Sequence, residues 1–343
     1  MRLRQLAYWD SQGVRECSCI TGRQHVAIGT YEEDQMSNGR KSLIAGLCVV
    51  VVAASVTGAV AQEGPQKASQ KGALKWTLKV NETRGPVRAA AVPSPLSKEV
   101  SSEILGGPTN GSDAAYLIFT RMPPGAHGPA LFTLPDDHLY LVLEGRMNVQ
   151  IGTDKFVAER YTGVVIPAGI PHEVSNAEAA SETRVFEVIA PGSSRDLMSL
   201  LKPAQPRKVE NAAQYIRTPK VPAQGELKPG LNGARFAGRD LGSAEQMRID
   251  STLPGSGGPK PHVHKFTQVY FETEGETTLT YGLLTYPLPR YSIAIIPPGV
   301  VHTNNNRTNA VERHVVLLLN EPPDRSEPFD IEVEFKGGVG GPR

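Results

Sequence analysis

The chain has 343 residues, of which 36 are Lys or Arg and 35 are Asp or Glu, and 39% are hydrophobic. This balance of charge excludes a large basic surface for nucleic acid, and the length is sufficient for two domains with separate cores. The 34 Gly and 28 Pro residues favour many tight turns, and therefore strands rather than a helical bundle.

Residues 1–61 have the composition of a leader. A basic pair at residues 40–41 precedes an apolar run at 43–56, and an Ala-x-Ala motif ends at Ala61. These three parts are typical of a secretory signal peptide, so we predict cleavage after Ala61 and a periplasmic or secreted protein. The alternative is a membrane anchor formed by residues 42–61, which are just long enough to span a bilayer.

The segment before Met36 would make this leader unusually long, so Met36 is a second candidate for the true start. All three cysteines, Cys17, Cys19 and Cys48, precede the predicted cleavage site. The exported chain would therefore contain no cysteine and would fold without disulfides, which a periplasmic or secreted protein can do.

After the leader, the sequence contains two copies of one pattern at an offset of 130 residues. The segment LYLVLEG at 139–145 aligns with VYFETEG at 269–275, and VIPAGIPH at 165–172 aligns with IIPPGVVH at 295–302. A repeat that keeps its register over this length indicates two copies of one domain.

Each copy is a series of short apolar segments separated by Gly and Pro, which is typical of a β-sandwich or barrel. We predict a first domain at residues 74–200 and a second at 205–335. At the shared offset His314 aligns with Arg184, and we expect it to be a solvated or hydrogen-bonded strand residue. Tyr161 aligns with Tyr291, and core packing explains this pair.

The second copy carries two groups of residues that resemble the motifs of the cupin superfamily. The first group contains His262-x-His264, followed by Gln268 and Gly275. The second group is Pro297-x-Gly299-x-x-His302-x-x-x-Asn306. The first copy matches the second motif as well. The resemblance covers about residues 110–195 and 240–320, as in bicupins with two type-2 conserved barrel domains.

This resemblance implies an all-β fold, with two jelly-roll (double-stranded β-helix) barrels in tandem after the signal peptide. Barrels of this kind can hold a ligand or a metal inside. Barrels of this superfamily often pair, which suggests a homodimer.

The spacing of the polar residues in the second copy indicates a metal site. His262 and His264 alternate on a strand and so face the same side, and Gln268 keeps that face. His302 follows a tight turn and can return from a neighbouring strand. We predict that these four residues bind one divalent transition metal, whether Fe, Mn, Cu, Ni or Zn. The alternative is a polar pocket without a metal.

Gln268 departs from the family pattern, which has Glu at this position. An amide cannot act as a carboxylate base or neutralise a metal. Three imidazoles and an amide leave the charge of a divalent ion uncompensated, so we expect the site to favour a small anionic substrate.

The first copy lacks most of this ligand set. Phe132 and Leu134 replace the first two histidines, His138 replaces the glutamine, and His172 is retained. His127 could fold back to form a second pocket with His138 and His172. The alternative is an apolar barrel that binds no metal.

These features together favour an exported, metal-dependent and dioxygenase-like oxidoreductase that acts in the second barrel, with its catalytic residues undetermined. The alternatives are a non-catalytic protein that binds a sugar or organic acid, and a cupin isomerase without redox change. No face for nucleic acid is evident, and membrane contact is expected only through the signal segment.

Overall fold

The computed structural model describes residues 5–9, 15–21, 24–31, 76–83, 85–90, 99–112, 114–192, 196–230, 232–320 and 331–333. The predicted signal segment, its cleavage site and the alternative start at Met36 lie outside these ranges. Within them, no helix is both long enough and apolar enough to cross a membrane.

The chain divides into two compact units, residues 1–68 and residues 69–343. The described backbone of the first unit is a three-stranded antiparallel sheet with the strands in chain order. Its strands are β1 (Gln5–Trp9), β2 (Arg15–Thr21) and β3 (Gln24–Tyr31).

The second unit contains short strands throughout, as the Gly and Pro spacing predicts. The strands up to residue 217 are β4 (Trp76–Val80), β5 (Val87–Ala89), β6 (Val100–Gly106), β7 (Tyr116–Met122), β8 (Phe132–Thr133), β9 (Asp137–Glu144), β10 (Met147–Ile151), β11 (Asp154–Ala158), β12 (Gly163–Ile166), β13 (His172–Asn176), β14 (Thr183–Ala190), β15 (Lys202–Pro203) and β16 (Ile216–Arg217). The helix α1 (Leu197–Leu200) has Asp196 as its N-cap.

The strands of the second copy follow in a similar order. They are β17 (Asn232–Ala237), β18 (Gln246–Thr252), β19 (His262–Val263), β20 (Thr267–Glu274), β21 (Glu276–Tyr281), β22 (Leu284–Pro289), β23 (Ser292–Ile296), β24 (His302–Asn305), β25 (Glu312–Leu319) and β26 (Ile331–Glu332). Short 3-10 helices lie at Ala212–Tyr215, Gln224–Glu226 and Arg239–Leu241.

Each copy folds into two facing sheets, which confirms the prediction of two jelly-roll barrels. The first barrel has sheets of order β16-β12-β9-β14-β7-β6-β4 and β11-β10-β13-β8-β15. The second barrel has sheets of order β17-β18-β25-β20-β23-β5 and β22-β21-β24-β19-β26. The pairing of β4 with β6 is parallel, whereas the other pairs in these sheets are antiparallel.

The two barrels exchange edge strands. Val87–Ala89 lies between β4 and β6 of the first barrel in sequence but pairs with β23 in the second barrel. Ile216–Arg217 lies beyond residue 205 but pairs with β12 in the first barrel. The predicted bounds of 74–200 and 205–335 assume two continuous segments, whereas the sheets take strands from both sides of that division.

The central strands are apolar at nearly every position because both of their faces are buried. In β9, Leu139 and Leu141 belong to a core between the two barrels, while Tyr140 and Val142 belong to the core inside the first barrel. Side chains alternate between the faces of a strand, so one strand supplies both cores. The same alternation in β25 places Val315 in the core between the barrels and Val316 inside the second barrel.

Aromatic rings fill the core between the barrels. The ring of Phe186 from the first barrel stacks on Phe271 from the second at 4.3 Å and an interplanar angle of 11°. Phe119 and Tyr291 make a second contact across this interface at 4.9 Å. Full burial of one such side chain contributes about 1.5–3 kcal/mol, so the interface holds the barrels together as one body.

A reciprocal polar network surrounds that core. Glu274 of the second barrel accepts a hydrogen bond from the Tyr161 hydroxyl at 2.7 Å and pairs with Arg160, both of the first barrel. Glu144 is bound in the same way, by Tyr291 at 2.7 Å and by Arg290. Both tyrosines have a positive φ, 60° and 61°. Core packing, the explanation expected for this repeated tyrosine, is therefore incomplete, because each hydroxyl binds the opposite barrel.

Candidate metal centre

Three histidines converge inside the second barrel. The register of β19 and β24 places His262 directly opposite His302, and their ring centroids are 4.3 Å apart. His264 lies two residues along the chain and contacts both rings, at 4.8 and 5.0 Å. All three are buried, and one ring nitrogen from each lies within 4.8 Å of the others. The structure therefore brings together the three predicted imidazole ligands.

Backbone carbonyls orient two of these rings. The Nδ1–H of His262 donates to the Lys260 carbonyl at 2.7 Å, and that of His302 donates to the Val300 carbonyl at 2.9 Å. This fixes the proton on Nδ1 and leaves the Nε2 lone pair to bind a metal. Burial, together with His262 and His264, lowers the pKa of His302 to about 3. The ring is therefore neutral near pH 7, which is the form that coordinates metals, and the donor set fits a divalent transition ion.

Gln268 lies beside the histidines, as its even spacing from His264 predicts. Its side-chain amide is 3.1 Å from Nε2 of His302. The amide atom at this distance is Oε1. Since Nε2 carries only a lone pair, the contact becomes a hydrogen bond when the amide is flipped so that its NH2 group faces the ring. Coordination of a metal by His302 would break this contact. The amide is then free to orient a ligand or to bind the ion weakly through its oxygen.

The histidines open into a cavity of about 70 Å³. Arg248 lines it and donates from Nε to the buried carboxylate of Asp250 at 3.0 Å. Asn304 also lines it, and its Nδ2 is buried without a hydrogen-bond partner. The remaining lining residues are Pro259, Gln268, Tyr270, His314, Val316 and Leu318.

Arg248 and Asn304 were not predicted from the sequence. Arg248 lies on β18, which carries neither motif. Asn304 lies inside the second motif, two residues before its asparagine and two after His302. The even spacing from His302 was a usable signal, because it puts Asn304 on the same face of β24.

His314 is a hydrogen-bonded strand residue, as expected, with Nδ1 2.9 Å from the Glu312 carboxylate, and it also lines this cavity. It lies opposite Glu272 on one side and Asp250 on the other. Arg184 lies opposite Glu144 in the first barrel, and the residue opposite Glu274 in the second barrel is Arg313. The two copies therefore differ by one residue before β25, and His314 faces the interior.

The histidines of the first barrel are arranged differently. His172 donates from Nδ1 to the Ile170 carbonyl at 2.9 Å, and its Nε2 lies 3.1 Å from Nδ1 of His138. His138 also contacts Glu187 at 3.2 Å. His127 does not fold back to join them, since it is exposed and its backbone bridges to Ser175 on the barrel edge. Because His138 occupies the lone pair of His172, this arrangement leaves no convergent set of free nitrogens.

The interior of the first barrel is mainly apolar. Phe132 packs against His172 with a centroid distance of 4.4 Å, and together with Leu134 it lines a cavity of about 30 Å³. Leu197 and Leu201, from α1 and its C-cap, lie along the same cavity. Two groups of described side chains could hold a metal, and neither is in this barrel.

Comparisons with known proteins agree with this fold. A family model described as a cupin domain matches residues 118–189, and no curated protein matches the sequence. Vicilin from Corylus avellana (hazelnut) is similar with a TM-score of 0.51 and 13% identity, over 68% of this chain and 85% of that chain. AerE from Microcystis aeruginosa has a TM-score of 0.46 and 15% identity, over 61% and 88%. An oxalate decarboxylase from Bacillus subtilis has a TM-score of 0.46 and 13% identity, over 64% and 71%.

His172 makes the stability of the protein depend on pH. Burial and the adjacent His138 lower its pKa to about 3, against an ordinary value of 6.5. Between these two pH values the unfolded chain binds more protons than the folded one. The contribution of His172 to the free energy of unfolding is therefore complete above pH 6.5 and falls by about 1.4 kcal/mol per pH unit below it.

Replacement of this residue, His172→Gln, removes that dependence. Between pH 7 and pH 5 we expect the wild type to lose about 2 kcal/mol more stability than the variant, measured by urea unfolding at each pH. The exposed His127→Gln should retain the wild-type slope. Equal slopes for the wild type and His172→Gln would show that His172 is not held neutral by burial.

Proposed function

We propose that this chain, in which residues 118–189 match a cupin-domain model and two barrels of that fold are present, is a metal-dependent oxidoreductase of the dioxygenase type. The reaction takes place in the second barrel, on a small anionic substrate. The observation that carries this proposal is the convergence of His262, His264 and His302 on a buried cavity that also contains Arg248 and Asn304.

The three histidines would hold one divalent transition ion, with Gln268 at its side. When bound, such an ion supplies Lewis-acid and redox chemistry to a substrate beside it. The protein contributes the orientation of the ligands, through the carbonyls of Lys260 and Val300. Val316 and Leu318 form the apolar part of the cavity wall.

The charges around the cavity favour an anion. Three neutral imidazoles and one amide leave both positive charges of a divalent ion uncompensated, so a carboxylate, enolate or diketonate would complete the site. The Nδ2 of Asn304 is a buried donor without a protein partner, and a substrate oxygen would satisfy it. Arg248 adds a positive charge, although Asp250 neutralises part of it.

One observation favours a non-catalytic alternative, the binding of a sugar or organic acid. The position beside the three imidazoles is held by Gln268, and a neutral amide cannot act as a general base. A protein that only captures its ligand does not need that base. The identity of the metal discriminates among the candidate functions. Redox-active iron, manganese or copper favours the oxidoreductase, whereas zinc favours an isomerase or a structural role.

Metal analysis of the purified protein tests the histidine site. We expect the wild type to contain redox-active metal and His262→Ala to lose one equivalent per chain, measured by elemental mass spectrometry. The matched control is His127→Ala, which removes an exposed histidine of the other barrel and should leave the metal content unchanged. Metal content that is the same in all three proteins would contradict the assignment.

The preference for an anion can be tested at Gln268. The Gln268→Glu variant places a negative charge beside the ion, so we expect metal affinity to rise about tenfold or more, equivalent to about 1.4 kcal/mol. The affinity of the loaded protein for a small dicarboxylate should fall by a similar factor, because the anion is no longer needed for charge balance. Calorimetry measures both, and unchanged affinities would refute the argument from charge.

We also propose that the protein is exported, on the basis of the leader at residues 1–61. Expression in a bacterial host followed by amino-terminal sequencing of the periplasmic or secreted protein should find Gln62 as the first residue. Recovery of the full segment 42–61 in the membrane fraction would favour the anchor and contradict cleavage.

A further inference from the structure

A second cluster of ionisable side chains lies inside the second barrel, outside the predicted ligand set. Glu312 and His314 are two residues apart on β25 and so face the same side of the strand. Glu272 lies on β20 directly opposite His314. One ligand atom from each of the three lies within 4.8 Å of the others. Glu272 and Glu312 are 0% exposed and His314 is 1% exposed.

The first barrel shows that the fold does not require this polarity. The position opposite Val185 on β14 is held by Val142 on β9, and this pair is the structural counterpart of His314 and Glu272. Both valines are fully buried in the core of the first barrel. Since two valines fill the site in one copy, the carboxylate and imidazole in the other have to be explained by something other than packing.

Two buried carboxylates meet in this cluster, and burial beside Glu312 raises the pKa of Glu272 well above its ordinary value. Nδ1 of His314 lies 2.9 Å from the Glu312 carboxylate, which the Thr252 hydroxyl also contacts. Both carboxylate oxygens of Glu272 and the Thr277 hydroxyl oxygen are buried without a hydrogen-bond partner. A carboxylate withdrawn from water needs a partner, and one that is left unpaired is strongly destabilising.

We propose that Glu272, Glu312 and His314 form a second binding site for a divalent cation. Two carboxylates cancel both charges of such an ion, and the imidazole completes an O/N donor set that suits Mn²⁺, Fe²⁺ or Zn²⁺. The oxygens of Glu272 supply the free donors, and the ion enters through the cavity that His314 lines. This site is independent of the proposed reaction at the three histidines.

Titration with Mn²⁺ in a variant that lacks the histidine site tests this proposal. In His262→Ala/His302→Ala, we expect one equivalent of Mn²⁺ to bind per chain, seen as loss of the six-line electron paramagnetic resonance signal of the free ion. Addition of the isosteric Glu272→Gln should weaken this binding at least tenfold. The matched control is Glu245→Gln, which alters a buried carboxylate directly before β18 and should leave Mn²⁺ binding unchanged.

The same Mn²⁺ titration is carried out on the wild-type protein and on a variant that is checked for folding. Wild-type protein should bind two equivalents of Mn²⁺, and Glu272→Gln alone should bind one. The double variant Glu272→Val/His314→Val reproduces the residues of the first barrel, so it should stay folded by circular dichroism yet bind one equivalent. No Mn²⁺ bound by the folded His262→Ala/His302→Ala protein, or the same number of equivalents in the wild type and in the folded Glu272→Gln protein, would overturn the proposal and leave the glutamates as a pair that shares a proton.

Discussion

The structure depends on the packing of one barrel against the other. A sheet that is buried on one side only can tolerate polar residues on the other, whereas β9, β20 and β25 are apolar on the face directed at the neighbouring barrel as well. This face contains Phe186 and Phe271, whose rings stack at 4.3 Å. The reciprocal pairs around Glu144 and Glu274 close its rim. The two barrels consequently form one body, and each supplies an edge strand to the other.

This interface also positions the candidate site. Strand β20 directs Val269 and Phe271 toward the first barrel and Gln268, Tyr270 and Glu272 toward the interior of the second. Since successive side chains alternate, the register that seats Phe271 against its partner also determines which polar groups enter the cavity. A shift of one residue in this strand would reverse both sets at once.

The two copies share a backbone and differ in the chemistry of their interiors. Where the second barrel has His262 and His264, the first has Phe132 and Leu134, and the motif histidine that it retains, His172, contacts His138. Deeper in the barrel the contrast recurs, with two valines in place of a glutamate and a histidine. The interior of the first barrel is therefore mainly apolar, and the polar groups that could hold a metal lie in the second.

The repeat, the strand-rich barrels and the three histidines are predictable from the sequence, because these depend on local rules: Gly and Pro at turns, and alternation along one strand. The jelly-roll topology was implied by the resemblance to cupins. The outward position of His127, the inward position of His314 and its pairing with Glu272 are visible only in the folded chain. The pairing of Val87–Ala89 with a strand of the second barrel is another feature that only the folded chain shows. These features depend on hydrogen-bond register between strands far apart in sequence, where a slip of one residue moves a side chain to the opposite face.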